Sequence, residues 1–406
     1  MLASLDSNSR EVRWVLTTLD AATGQVPTGV DDGFLPVENG TGRGQGWMTY
    51  TVDPVAGAAT GTAVTAQAGI VFDQNAAIDT EPWTNTLDDV IHVEPDAEDN
   101  TARSIAWAHL ALPTTGAGAL APVVLLGRDD LFADSLASGG AQGALDAPLL
   151  LTGGDAVDPR VHTELERLGA ERVVLLGGRA ALSDDLEQEL VGSGFTVERV
   201  SGPSRIETAV AVAAAFSSDA VSAVLARAYP SADAGDPTQA FADALADGSL
   251  AAERGIPVLL TQTDRLNEST RTYLADAAIT QLVVVGGTAA VSNAVLTDLQ
   301  ALGITVDRVA GPTRFATATA IAAERGAATA ADAAGTVLLD GQHADAWADA
   351  FPAALYAGRS AIPVVLSTGT VLPDPTTAYL PSRRTGLVCA STLTPATCAT
   401  AADLHD

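Results

Sequence analysis

The sequence predicts an α/β protein: three tandem parallel-sheet modules in pseudo-threefold contact, preceded by an all-β sandwich. Three observations carry that expectation. From about residue 104 onward, short continuous apolar runs alternate with Ala-rich helical stretches, the pattern of a parallel sheet covered on both faces. The phrases of that region recur at a long, nearly fixed interval. Residues 1–92 follow another grammar, with period-two alternation, turn clusters and no helical period.

The first region is read as β from "EVRWVLTTLD", "GWMTYTVDP" and "ATGTAVTAQAGIVFD", which alternate and are rich in β-branched or aromatic residues. Clusters such as "PTGVDDGFLP" and "ENGTGRGQG" supply turns between them. An antiparallel sandwich satisfies such a pattern. The stretch also resembles a module found near the ends of large bacterial surface proteins, on "DGFLP", "GQG" and "AGIVFDQNAAIDTEPWTNTLD". The chain is expected to enter that module part-way. Asp73, Asn75 and Asp79 offer oxygens to calcium, or serve as turn-forming Asx residues; both readings stay open. "VEPDAEDNTAR", residues 93–103, reads as a polar linker or domain entry.

The strands of the second region are read from "PVVLLG", "PLLLT", "RVVLLGG", "SAVLA", "IPVLLT", "LVVVGG", "TVLLD", "IPVVLS" and "GLVCA". "FADSLASG" at Phe132 returns as "FADALADG" at Phe241 and as "WADAFPAALYAG" at Trp347. Asp134, Asp243 and Asp349 are therefore 109 and 106 residues apart, as are Pro148, Pro257 and Pro363. Gly178 and Gly287 repeat the 109-residue step. That period is far longer than a solenoid repeat, so each copy can bury a core of its own. The expected divisions are 1–92, 93–197, 198–306 and 307–406.

One phrase stands out. "SGPSRIETAV" from Ser201 and "AGPTRFATAT" from Ala310 share Gly-Pro-x-Arg-x-x-Thr-Ala, each with an arginine, Arg199 or Arg308, ahead of it. With the in-register "FADAL", "PLLLT" and Gly-Gly elements, these residues resemble the cell wall binding repeat 2 family of Gram-positive surface proteins, over about three quarters of the chain. The resemblance implies three Rossmann-like modules packed as a pseudo-trimer. It also implies non-covalent anchoring to anionic wall polymers, a secondary wall glycopolymer or a teichoic-acid-like chain. Copy one departs from the pattern, keeping only Thr101 and Ala102 of the phrase. Copy three has "GLVCASTLT" where Gly-Gly is expected.

For Arg199, Arg205, Arg308 and Arg314 two roles are open. The guanidinium fork suits bidentate contact with phosphate or carboxylate, and a helix beginning near Thr208 or Thr317 would add backbone donors. Alternatively each arginine pairs with a motif aspartate. Asp134, Asp243 and Asp349 read as helix caps or arginine partners. The Gly-Gly turns lack the further spacing of a dinucleotide loop and suit tight turns. Ser-His-Asp, H-E-x-x-H and G-x-S-x-G patterns are absent, so the sequence points to a binding module with no cofactor, not an enzyme. The weighed rivals are a peptidoglycan hydrolase (amidase-type) fragment and a structural surface-layer component.

Composition narrows the partners. Formal net charge is −29, from 50 acids against 21 bases, and every base is arginine. Such a chain is a poor general ligand for nucleic acid. An anionic polymer would need local arginine pockets, a bridging cation or neutral glycan stretches. No run of about 20 apolar residues provides a membrane span. The N-terminus lacks the basic and apolar regions of a signal peptide, so an export signal is expected upstream. Cys389 and Cys398 in "CASTLTPATC" are spaced for a local disulfide, in keeping with an exported protein, or stay as two thiols. The protein expected from these readings is the wall anchor of a longer, exported, actinobacterial-type surface protein.

Overall fold

A computed structural model of the chain describes residues 2–6, 11–20, 23–27, 63–72, 75–86, 90–93, 97–113, 120–231, 235–381 and 386–405. It divides into two units, Met1–Leu87 and Asp88–Asp406.

The first unit contains β1 (Leu2–Asp6), β2 (Glu11–Val15), β3 (Ala63–Ala66), β4 (Gly69–Ile70), β5 (Ile78–Asp79) and β6 (Trp83–Thr86). They pair antiparallel, β1 with β2, β3 with β6 and β4 with β5. The Thr65 and Thr84 hydroxyls meet across one ladder at 2.8 Å. Val64, Ile70, Ile78 and Trp83 are exposed, so among the described residues these ladders bury no two-sheet core. The "DGFLP" and "GQG" stretches and Asp73 lie outside the described residues.

The second unit opens with β7 (Val90–His92) and continues through α1 (Asn100–Ala111), β8 (Val123–Arg128), α2 (Ser138–Leu145), β9 (Leu149–Thr152), α3 (Pro159–Leu168), β10 (Arg172–Leu176), α4 (Asp184–Gly192) and β11 (Thr196–Val200). The second module follows as α5 (Arg205–Phe216), β12 (Ser222–Arg227), α6 (Ala244–Arg254), β13 (Val258–Thr261), α7 (Glu268–Asp276), β14 (Gln281–Val285), α8 (Asn293–Ala301) and β15 (Thr305–Val309). The third is α9 (Arg314–Glu324), β16 (Gly335–Asp340), α10 (Trp347–Ala350), α11 (Ala353–Arg359), β17 (Val364–Ser367), α12 (Asp374–Tyr379), β18 (Gly386–Cys389) and α13 (Pro395–His405).

Three four-stranded, wholly parallel sheets result, in the orders β11-β10-β8-β9, β13-β12-β14-β15 and β17-β16-β18-β7. The last order is the main departure from the sequence reading. Val90–His92, placed at the end of the β region, is the fourth strand of the third sheet, so the ring closes where β18 pairs with β7, the strand whose chain runs on into α1. Likewise β11 and β15 straddle the expected divisions at 197/198 and 306/307 and complete the sheets before them.

The apolar runs are buried on both faces. In the first sheet Leu125, Leu149, Leu151, Val174 and Leu176 point to a core shared by all three modules. Their neighbours Val124, Leu126, Leu150, Val173 and Leu175 point to a satellite core beneath α3 and α4. The other two modules repeat the arrangement, each with its own outer cluster. Each leucine so buried contributes roughly 1.5–3 kcal/mol.

The shared core is closed by α2, α6 and α11, which pack on one another about the pseudo-threefold axis. Small residues make this possible. A Cβ added at Gly143 would lie 2.0 Å from the Ala252 carbonyl oxygen, and one at Gly139 2.5 Å from that of Gly248. Gln142 ties the axis together, donating through Nε2 to the Phe351 carbonyl (2.9 Å) and accepting from the Leu355 N–H (3.2 Å). Arg325, at the end of α9, donates to Ser249 and to the Ala357 carbonyl and pairs with Glu253.

Candidate functional site: the three module junctions

Each module hands the chain to the next through one connection, from the last strand of a sheet to a helix packed on the following sheet. These connections are β7 to α1, β11 to α5 and β15 to α9. The repeated arginine phrase is the second and third of them.

Arg199 and Arg308 sit on β11 and β15 at matching register, opposite Leu175 and Val284. Arg199 donates to the Gly177 carbonyl (3.0 Å) and the Ser183 carbonyl (3.3 Å) and pairs with Glu187 at 2.7 Å. Arg308 donates to the carbonyls of Gly286 (2.6 Å) and Val291 (2.7 Å). Both therefore brace the Gly-Gly turn inside one module. In the third sheet the same place, opposite Cys389, is held by His92.

Arg205 and Arg314 behave differently. Each is the first residue of its helix, preceded by a capping hydroxyl from Ser204 or Thr313. The helices thus begin three residues before Thr208 and Thr317. Arg205 donates from Nη1 to the Ala228 carbonyl at 3.0 Å, and Arg314 from Nη1 to that of Gly341 at 2.6 Å. Ala228 and Gly341 are equivalent: each follows the central strand and donates its own N–H to the end of the neighbouring strand. Asp129 holds that position in the first module, and its carbonyl accepts from Asn100 Nδ2 at 2.7 Å. Asn100 is the first residue of α1. The copy that lacks the arginine phrase therefore makes the same hydrogen bond with asparagine.

Beyond that shared bond the three junctions diverge. Arg314 is neutralised, donating to Asp236 and to the Thr238 hydroxyl, both at 2.7 Å. Arg205 lies over two rings, its guanidinium carbon 4.8 Å from the centroids of both Phe132 and Tyr229. No described carboxylate forms an ion pair with it; Asp134 acts on it only through space. Burial lowers its pKa from the ordinary arginine value, with Tyr229 and Asp134 opposing. Phe132 in turn packs edge-on against Phe241 (4.9 Å) and near Trp347 (6.4 Å), so the three phrase-opening aromatics gather at the axis.

The motif aspartates face these junctions and do not cap helices. Asp134 precedes α2 by several residues and accepts from the Thr208 hydroxyl of the next module at 2.8 Å. Asp243 occupies the cap position of α6 but makes no side-chain cap bond there, and its carboxylate is 4.0 Å from the buried Arg227. Asp349 is fully buried and accepts from Trp107 Nε1 (2.9 Å), Thr392 (3.0 Å) and Ser391 (3.3 Å). Burial raises its pKa, against the lowering by those donors and by Arg103. Ser391 and Thr392 stand where the other modules have Gly-Gly. There Gly177 and Gly286 adopt φ of +116° and +94°, and an added Cβ would lie 2.7 Å from Asp134 or Asp243. The third module exchanges that close approach for hydroxyl donors.

None of the four arginines pairs with Asp134, Asp243 or Asp349 directly. Among the described residues no cluster of His, Cys, Asp and Glu could hold a metal ion. Asn75 and Asp79 lie in the first unit, with Asp79 on β5. Cys389 and Cys398 are bonded, Cα to Cα 6.1 Å, joining the end of β18 to α13. Sequence reasoning did not single out Asn100, Trp107, Tyr229, Asp236 or His92. Only Asn100 carried a signal, in the surviving Thr-Ala that follows it.

Parallel-sheet repeats closed about a pseudo-threefold axis, with polar side chains gathered where modules meet, define a tandem-repeat α/β assembly of Rossmann-like units. The chain belongs to the family Cell wall binding domain 2 (CWB2), whose pattern matches residues 98–187, 199–296 and 308–390. It is 28% identical over 184 residues to the N-acetylmuramoyl-L-alanine amidase LytC of Bacillus subtilis, covering 45% of this chain and 34% of that protein. It is also 28% identical to the Bacillus subtilis amidase enhancer over 194 residues, 48% of this chain and 24% of that one. The chain thus spans a third or less of these relatives. Its fold is that of Cwp6 and Cwp8 from Clostridium difficile, each at a TM-score of 0.67. Identity is 18% and 21%, over 84% of this chain and 51% and 59% of theirs.

Proposed function

We propose that the second unit is a non-covalent anchor that holds an exported protein on the cell wall of a Gram-positive bacterium by gripping a wall polymer. The single observation that supports this most is the membership of three in-register copies in a cell-wall-binding family, spread over residues 98–390. The anchoring reading places the protein outside the cell. No helix among the described residues is long and apolar enough to cross a membrane. The partner is an anionic polymer of secondary-wall or teichoic-acid type. With a chain charge of −29, such a polymer must be met by local arginines.

The test is sedimentation with purified walls before and after acid extraction of anionic polymers. The chain is expected to pellet with intact walls and to stay in solution with extracted ones. Equal pelleting with both would reject the polymer, and no pelleting with either would reject the anchor. The likeness to LytC motivates a second reading, that the chain is a piece of a wall hydrolase. A clearing zone on a peptidoglycan zymogram would favour it.

A further inference from the structure

The three junctions share one hydrogen bond and differ in charge balance. At the first residue of α1 the donor is the neutral Asn100. At that of α9 it is Arg314, whose other nitrogen meets Asp236 at 2.7 Å. At that of α5 it is Arg205, which spends only Nη1, on the Ala228 carbonyl. A guanidinium has five N–H donors in a planar fork. The edge carrying Nε and Nη2 is therefore unspent at Arg205 alone of the three.

The surroundings of that edge favour an anion. Phe132 and Tyr229 each set a ring face against the guanidinium, 4.8 Å from its carbon, and take part of its hydration shell. A cation stripped of part of its water gains more from an incoming opposite charge than an exposed one does. Among the described residues the nearby acids are engaged elsewhere: Asp134 accepts from Thr208, and Glu207 from Ser204 and Ser269. Arg205, Phe132 and Tyr229 are each only partly buried, so solvent reaches all three side chains.

We propose that the α5 junction alone carries an oxyanion subsite, in which the free edge of Arg205 takes one phosphodiester or carboxylate group in bidentate fashion. The inference rests on the anchoring reading for the identity of the polymer, and it makes the three copies unequal. One module pair reads charge, while the other two are balanced internally. The two ring contacts and the Ala228 bond hold the guanidinium in place, and a lysine cannot replace the fork.

The test uses the whole chain and two small probes, glycerophosphoglycerol for the phosphodiester and glucuronate for the carboxylate. Every cationic side chain other than histidine is an arginine, so arginine Nε–Hε signals report on all of them. One such signal is expected to shift on titration, with one site per chain. Arg205→Gln should lose at least tenfold in affinity, and Arg205→Lys nearly as much, at unchanged melting temperature. Arg314→Gln should leave the titration as it was, and Asp236→Asn should add a second site by releasing Arg314. The probe that shifts the signal at lower concentration names the group. Undiminished binding in both Arg205 variants, or loss of binding in Arg314→Gln, overturns the subsite; if Arg205→Gln does not fold, the lysine variant and the wild-type signal decide. Wall sedimentation runs alongside. A chain that takes a probe through Arg205 but does not pellet keeps the subsite and loses the anchor. A chain that pellets and takes neither probe keeps the anchor and loses the subsite.

Discussion

The junctions at α1 and α5 are built to one plan and filled in opposite ways. At α1 the aspartate of the preceding module is sealed: Asp349 is fully buried beneath Trp107, itself without exposed surface, and holds three side-chain donors. At α5 the equivalent Asp134 takes one hydroxyl, and near it a partly buried arginine lies over two rings. The difference separates two duties that the repeat could have kept together. The α1 junction closes the ring, because β7 and the third sheet meet next to it, and it has been filled with apolar and neutral groups. The α5 junction lies within a continuous stretch of chain and needs no such closure, so it can leave a charge unpaired.

The largest expected effect comes from emptying the closed junction. Trp107→Ala removes a fully buried indole and orphans part of the Asp349 carboxylate, and should cost about 3–5 kcal/mol. Phe132→Ala, at the open and half-exposed junction, should cost clearly less. Denaturant midpoints of the two variants check this. Equal losses would mean that the α1 and α5 junctions carry the same structural load, and the comparison would fail.

That contrast also explains what could be read from the chain and what could not. The 109-residue register, the two-face burial of the "PLLL"-type strands and the arginine phrase are written in residue types, and pattern reasoning finds residue types. The strand Val90–His92 is three residues long, sits before the first repeat and pairs with the last one, so no local period marks it. Asn100 escaped because what recurs in space is a hydrogen bond to a carbonyl, which asparagine and arginine both make. Ser391 and Thr392 hid the third turn for a related reason, since hydroxyl donors replace a close glycine approach to the aspartate. The motif aspartates read as helix caps because caps are local, whereas their partners come from the next module and the preceding strand turn. The paired arginine Arg314 and the open arginine Arg205 sit in the same Gly-Pro-x-Arg-x-x-Thr-Ala phrase. The Asp236 loop, 78 residues before Arg314, and the two rings on Arg205 distinguish them.

A smaller effect is expected from the edge of the closed junction. Cys389 pairs with His92 across the ring-closing ladder and is bonded to Cys398. Replacing both cysteines by serine releases a loop of nine residues' separation, which in the loop-closure account costs about 2–3 kcal/mol. The loss should show in the midpoint of the third module, followed by hydrogen exchange at Leu387 and Val388. The amides of Leu282 and Val283, equivalent in the second sheet, should be unaffected if modules open separately. Uniform loss of protection would show instead that the ring opens as one unit.

The smallest effect concerns the axis between the junctions, where a second fully buried aspartate contrasts with Asp349. Asp247, on α6, has both carboxylate oxygens buried with no well-formed hydrogen bond, and the neighbouring Gly248 N–H is the one group that favours its charged form. Burial, then the nearby Asp243, raises its pKa well above 3.8. The unfolded chain therefore releases this proton at lower pH than the folded one. Below the unfolded value both states are protonated and nothing is lost. As pH rises from there toward the folded value, the folded state binds more protons and its stability falls. Asp247→Asn abolishes that loss while keeping a polar group of the same shape. At pH 5 the gain is capped at about 1.6 kcal/mol, since each pH unit above the ordinary 3.8 contributes about 1.36 kcal/mol. Melting curves at pH 3.5 and 5 should thus converge at the lower pH and separate at the higher, with the variant more stable. Asp349→Asn should lose stability at both pH values, because the amide has one acceptor oxygen where the carboxylate offers two to Trp107, Ser391 and Thr392. If Asp247→Asn instead destabilises the protein at pH 5, Asp247 has a charged partner in the axis, and the two buried aspartates are alike after all.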